Sequence, residues 1–575
     1  MKKLLHLSSN RILLVSVFFG LCFSGYGQAT TSTTWAITPP ATTPTWDNGV
    51  PNETTNAVIA APLTTIGEAN IYAYSLTITN NAIVNISSGN TVRLSGALSV
   101  DSGSSITFND NANLIQEGTT NLNSGNIIMK RNSSLLKRLD YSLWASPVTG
   151  SQTLLNFSPL TLTNRFYKFT TFEDIVAPAT TSNTNQYTVV DPSTTTFAMA
   201  QGYLIRMPNN HPSTNGTNWE GNFTGVPNSG DYSFTMVDGG AGNRFNLVGN
   251  PYPSPIDVTS FVSANSDNIT GTLYFWRKTN NALSPSYCSW SSLGFASNGE
   301  AEVYDLNGVI QTGQGFFVEG SGNGNALIFN NSMRTNDHSD QFFKNSNVTN
   351  TVESHRIWLN ATNPNGSFSQ TLVGYCTNAT QGYDAGIDGK FINDGDIALT
   401  TLIGTDHYAI QGRALPFTTT DIVPLNFKVT TAGTYTLAID HVDGLFAGNA
   451  QDIFIRDNLD GSLHNLNNAS YTFVSEAGTF ANRFELVYQN MLSVPNSSFT
   501  QNSLVVYNQE HTLIINSGIT KMATVSIFDI SGRLLIEKKD INSSETRINV
   551  GVANQVLLAE VTTTEGLKTT KKITN

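Results

Sequence analysis

Asp384-Ala385-Gly386-Ile387-Asp388-Gly389 and Asn393-Asp394-Gly395-Asp396 form the best acidic cluster in this chain. Oxygen ligands at alternate positions suit a hard cation, so Asp384, Asp388, Asp394 and Asp396 are candidate calcium ligands. The EF-hand pattern fails, because its terminal Glu falls on Gly395. Asp and Gly also build ordinary turns, which is the competing reading. No cofactor other than calcium is suggested. The histidines are scattered with no two at metal-ligand spacing, and no CxxC or HxxxH-type zinc pattern occurs. HExxH, G-x-S-x-G, P-loop and helix-opening GxGxxG patterns are likewise missing. Gly320-Ser321-Gly322-Asn323-Gly324 lies between strand-like runs and reads as a turn. Of the 3 cysteines, Cys22 falls in an N-terminal leader, leaving Cys288 and Cys376 as either a disulfide or two buried thiols. No segment nominates a catalytic carboxylate pair, although glycoside hydrolases draw such pairs from distant positions.

The elements that must carry these residues are strands. Apolar residues alternate with period 2 in short runs bounded by Gly, Asn, Asp or Pro, and a 3.6-residue period is almost absent. Between Ala57 and Lys130 very short units recur at a near-constant step: Leu76-Thr77-Ile78, Val84-Asn85-Ile86, Val92-Arg93-Leu94, Leu98-Ser99-Val100, Ile106-Thr107-Phe108 and Leu114-Ile115-Gln116. That step predicts a parallel β-solenoid over 28–137, with an irregular sandwich as the alternative. A central β-rich domain follows over 138–334. Its aromatic runs, such as Leu273 to Trp276, read as core. A sugar-stacking platform would instead need exposed Trp219, Tyr252 or Trp290. A polar linker over 335–352 leads to six or seven strands over 353–490, a Greek-key or jelly-roll β-sandwich. A second linker over 491–502 precedes a small β-sandwich over 503–575. The fold class is therefore all-β and multidomain, as expected for 575 residues.

Both ends carry address-like features. Lys2, Lys3 and Arg11 precede the apolar run Ile12 to Phe23 and small residues at Gly25 and Gly27. This is a secretory signal peptide over 1–27, and its apolar core is short for a membrane span. Phe19-Gly20-Leu21 before Cys22 is a poor lipobox. No later run reaches about 18 uninterrupted apolar residues, so no transmembrane segment is expected after signal cleavage. At the other end, Ile527-Phe528-Asp529-Ile530-Ser531-Gly532-Arg533-Leu534-Leu535 is a strand, a tight turn and a second strand. Asn554-Gln555-Val556-Leu557-Leu558 and the terminal Lys571-Lys572-Ile573 follow.

This tail resembles the C-terminal sorting domain of proteins exported by the type IX secretion system of Bacteroidetes, in its type C variant. Asn554 to Leu558 stands where the type A tail has a Gly-x-Tyr segment. The resemblance implies that Asp529, Gly532, Arg533, Leu534, Leu535, Asn554, Gln555, Lys571 and Lys572 are read by the export machinery. It also implies that the protein is secreted or held at the outer cell surface.

Composition narrows what the exported part does. Only 13% of residues are charged, so Asn, Thr, Ser and Gly solubilise the surface, as in many extracellular β-proteins. The net charge of −12 argues against a nucleic-acid partner, since phosphate binding needs clustered Lys and Arg. A non-catalytic binding or adhesion protein for a polysaccharide or another surface ligand is the favoured reading. A secreted polysaccharide-degrading hydrolase or lyase is the alternative.

Overall fold

The computed structural model describes residues 31–575 apart from 68, 171–185, 241, 277–282, 284, 301–307, 339–352, 393–394, 490–498, 500–502, 510–511, 552–554, 565 and 575. The expected signal peptide and most of both expected linkers lie outside the described residues. Strand makes up 50% and helix 5%, which establishes the all-β class.

The N-terminal region is a parallel solenoid with three sheets. Leu76 pairs with Leu98, Val84 with Ile106 and Val92 with Leu114, each 22 positions further along the chain. One rung therefore comprises three short strands and three corners. Alternate residues point inward, and Leu76, Ile78, Val84, Ile86, Val92, Leu94, Ile106 and Phe108 are all buried. A rung cannot bury that face alone and does so against its neighbours. The corners need left-handed backbone: Asn80, Asn81 and Asn111 have φ of 55°, 56° and 65°, which Asn tolerates better than most residues. Gly103 stacks one rung beyond Asn81, where a Cβ would come within 2.1 Å of the Asn81 Oδ1.

The solenoid does not end in an open edge. Ile127–Asn132 continues its second sheet in parallel, then pairs antiparallel with Glu220–Pro227 of the central region. The third sheet's last strand, Asn113–Gln116, is capped by the Leu114 N–H donating to Pro253 O. One buried apolar cluster consequently runs from Ala57 to Met333, across the boundary expected at 137. In the central region successive residues of one strand serve different cores. Phe275, Phe316 and Val318 join the large cluster, while Tyr274 and Phe317 join a smaller one with Leu143, Leu204 and Leu247. Burial on both faces explains the unbroken apolar runs there.

The third unit is a single mixed sheet rolled on itself. It includes a parallel pair, Phe368–Cys376 beside Asp406–Ala414. Its core contains Leu359, Tyr375, Leu399, Phe427, Tyr435, Phe484 and Leu486. A separate apolar cluster joins it to the central region: Leu293 and Ala296 from one side, Trp358, Leu372, Cys376 and Ile410 from the other. Trp358 Nε1–H donates to Phe295 O at 2.8 Å, and Arg356 Nη1–H to Leu293 O at 2.9 Å.

The tail is a two-sheet sandwich of seven strands among the described residues. It has its own core of Leu504, Val506, Leu513, Ile515, Val525, Ile527, Leu557, Ala559 and Val561. Its contacts with the third unit include a half-buried ion pair, Lys571 Nζ to Glu476 Oε2 at 2.9 Å. Glu476 also accepts from the Val506 N–H, and Gly518 abuts Asp460.

Candidate functional site

The third solenoid sheet turns alternate side chains outward. Pairing sets Tyr72, Arg93 and Ile115 side by side on three successive strands. Tyr72 is 41% exposed, whereas Ile115 is 4% exposed. The difference arises because residues 330–338 fold over the last rung. Asn331 Nδ2–H donates to Gly118 O, Asn113 Nδ2–H to Asp337 O, and the Arg334 guanidinium to Leu114 O. Arg334 also lies 5.0 Å from the Tyr252 ring centroid and donates to Ser254 Oγ, so its donors serve to hold this flap.

Between flap and sheet lies a polar cleft of 680 Å³. Arg93, Ser95, Ile115 and Glu117 line it from the solenoid, Glu53 and Thr54 from the preceding loop, and Thr119, Asp231, Asn330, Asn331, Ser332 and Arg334 from the rim. Arg93 and Glu117 form an ion pair across one rung at 2.9 Å. Glu53 and Asp231 are exposed. No sequence pattern identified these residues, because they come from five segments separated by up to 281 positions, from Glu53 to Arg334. The period-2 alternation does mark Tyr72 and Arg93 as outward-facing.

The described carboxylates of the acidic cluster accept hydrogen bonds from nearby backbone and hydroxyl groups. Asp384 accepts from Thr380 N–H at 2.6 Å and from Thr380 Oγ1–H, closing its own turn. Asp388 is buried and accepts from the backbone N–H groups of Asp384 and Gly412, each at 2.6 Å. Burial raises its pKa to about 6. Asp396 accepts from Thr430 Oγ1–H at 3.1 Å, and Asp394 lies outside the described residues. Among the described residues no three His, Cys, Asp or Glu side chains gather as a metal site.

The turn at 384–389 plugs the third unit into the central one. The carbonyls of Gly386, Ile387 and Asp388 accept from Ser292 Oγ–H, Ser291 Oγ–H and Thr272 Oγ1–H at 2.7, 2.6 and 3.0 Å. The Gly386 N–H donates to Thr270 O at 2.8 Å.

The three aromatics named for a stacking platform in the central region are covered to different degrees. Tyr252 and Trp290 are buried, and Trp219 is partly buried against Trp144 and Phe157. Cys288 and Cys376 are buried thiols, and neither forms a disulfide. Burial pushes the Cys376 thiol up to about 11.

In the tail, the hairpin turn forms a compact tip. Asp529 accepts from the N–H groups of Ser531 and Arg533 and from Arg533 Nε–H at 3.0 Å, and these bonds hold its pKa below the usual carboxylate range. Gly532 has φ of 81°, which suits glycine. Ile530 and Leu534 are exposed, at 75% and 47%, as is Arg533. Leu535 is half-buried against the tail core. Gln555 leads into the strand Val556–Thr563, at the same end of the sheet as the tip, since Asp529 pairs with Leu557. Asn554 lies outside the described residues. Lys571 is held at the third unit, and Lys572 pairs with Leu558. Among the described tail positions, Gly532, Arg533 and Leu534 are exposed at the tip, whereas Lys571 and Lys572 lie on the last strand.

The chain matches no curated protein. Among solved structures, it is similar to the central fibronectin-III array of RIM-binding protein at 8% identity, covering 60% of this chain and 96% of that one with a TM-score of 0.12. It is also similar to a tetra-tandem repeat in the extending region of a large adhesion protein, at 8% identity, 76% and 98% coverage and a TM-score of 0.11. Scores this low carry no argument about this chain. Family models match over two segments, residues 28–488 and 492–575. The second is described as a domain of unknown function, DUF8694. With the first model spanning most of its length, the chain belongs to the family described as a domain of unknown function, DUF8693.

Proposed function

We propose that this chain is an exported protein whose residues 28–488 form a non-catalytic binding module for the cell surface or its surroundings, and whose tail is the export address. The observation that carries the export reading is the tail's separate core, from Leu504 to Ile573, together with its exposed tip at Ile530, Arg533 and Leu534. A sandwich that buries its own apolar residues can be read as a unit whatever precedes it. The binding reading is supported by the open polar face of the solenoid at Tyr72, Arg93 and Glu117. A type IX-competent host tests export. Fusing residues 503–575 to an unrelated passenger with a signal peptide should carry it across the outer membrane, and Arg533→Ala with Leu534→Ala should retain it in the periplasm. Export of the passenger without the tail, or unchanged export with both substitutions, would overturn the assignment.

A second reading, a polysaccharide hydrolase or lyase, draws on the three carboxylates around the solenoid cleft, Glu53, Glu117 and Asp231. Glu117 is already committed to Arg93, which favours binding over catalysis. Release of new reducing ends from a polysaccharide would decide for the enzyme.

A further inference from the structure

We infer that the solenoid cleft, continued one strand outward to Tyr72, binds a neutral polysaccharide chain. The inference rests on the binding reading above and supplies its ligand class. Neighbouring strands lie about 4.8 Å apart, so the row Tyr72, Arg93, Ile115 spans roughly 10 Å across the sheet. That is enough for about two sugar rings laid across the rungs.

A sugar ring presents an apolar face and an edge of hydroxyls, each both donor and acceptor. Its recognition therefore needs an aromatic face and a mixture of polar groups. Tyr72 supplies an exposed ring with a polar tip. Arg93 and the Asn330 amide supply donors, and Glu53 and Asp231 supply acceptors. The cleft's floor at Ile115 is apolar.

Charge selects within that class. Glu53, Glu117 and Asp231 outnumber Arg93 and Arg334, so the lining is negative by one charge. Arg334 is engaged with Leu114 O, Ser254 and Asn331 in the flap, leaving Arg93 as the lining cation nearest Tyr72. A uronate or sulfated polymer would meet the exposed Glu53 and Asp231 carboxylates, whereas a neutral chain would carry no charge for them to repel and would offer them hydroxyl donors.

Affinity electrophoresis of the mature full chain tests this. Native gels would contain galactomannan, xyloglucan or mixed-linkage β-glucan as neutral polymers, alginate or polygalacturonate as anionic ones, or no polymer. The expected result is retardation by at least one neutral polymer and by neither anionic one. Tyr72→Ala should weaken it about three- to ten-fold, and Asp231→Asn should weaken it as well. Tyr383→Ala, at an exposed tyrosine of the third unit, should leave it unchanged. Circular dichroism of each variant should match the parent. Retardation by no neutral polymer, equal or stronger retardation by an anionic one, or full retardation of both Tyr72→Ala and Asp231→Asn would overturn the site. New reducing ends with retardation intact would overturn the non-catalytic reading and leave the site standing.

Discussion

The Asp388 carboxylate is the clearest case of a residue whose chemistry is set by position. It lies in the turn that enters the central unit, and burial raises its pKa from 3.8 to about 6. The folded state therefore binds this proton more tightly than the unfolded chain. The resulting stabilisation is present at low pH and is lost as pH rises through about 6. Relative to Asp388→Asn, the parent should lose about 1–3 kcal/mol between pH 4 and pH 6.5 in denaturant melts. Parallel pH profiles for the two proteins would count against it. Cys288 and Cys376 give a second residue-scale expectation. Both should resist alkylation when folded and react together in denaturant without reductant, as read by mass spectrometry of the intact chain. Alkylation of the pair only after reductant is added would contradict the thiols.

At the scale of elements, the plug at residues 384–389 depends on two backbones meeting. Gly271 has φ of 83°, and a Cβ there would stand 2.5 Å from the Gly386 Cα. Gly271→Ala should therefore destabilise the chain by about 2–4 kcal/mol, combining left-handed strain with a backbone clash. Gly240→Ala, with φ of 87° and open space around it, should cost only the strain of about 1 kcal/mol. Thermal melts of the two variants separate the terms, and equal losses would mean that the close approach does not matter. The solenoid corners obey the same physics, with Asn81 and Gly103 stacked so that only the smaller residue fits above the larger.

For the whole molecule, the continuity of cores predicts how it unfolds. The cluster from Ala57 to Met333 joins solenoid and central region, and Leu293, Trp358 and Leu372 join the third unit to them. The tail meets the third unit through polar and backbone contacts beside Lys571, Glu476 and Gly518. Calorimetry should resolve a large cooperative transition for the first three units and a smaller one for the tail. Truncation after Tyr488 should remove the smaller transition and shift the larger by only a few degrees. Leu557→Ala, deep in the tail core, should lower the smaller transition alone, at about 2–5 kcal/mol. A single transition lost as a whole on truncation would show that the tail completes the third unit's core.

Strand content, the solenoid step and the self-contained tail were legible in the sequence because each depends on local alternation and turn chemistry. The 22-residue rung follows from Leu76, Leu98 and their partners, whose inward positions recur along the chain without any distant contact. The Asp529–Gly532 turn is equally local, with its hydrogen bonds closing within five residues. What the sequence left open was every feature made by segments far apart. Asp384 and Asp388 sit in an Asp- and Gly-rich turn, and only the fold shows that Asp388 accepts from Gly412 and that the turn's carbonyls meet Thr272, Ser291 and Ser292 more than 90 positions away. Whether Trp290 and Tyr252 face solvent or core is not written in local alternation, and packing buries both. The cleft is the strongest instance: Glu53, Arg93, Asp231 and Arg334 become neighbours because a flap at 330–338 closes over the last rung of a solenoid formed two hundred residues earlier. Local patterns determine which face of a strand points outward, and tertiary closure determines what that face then meets.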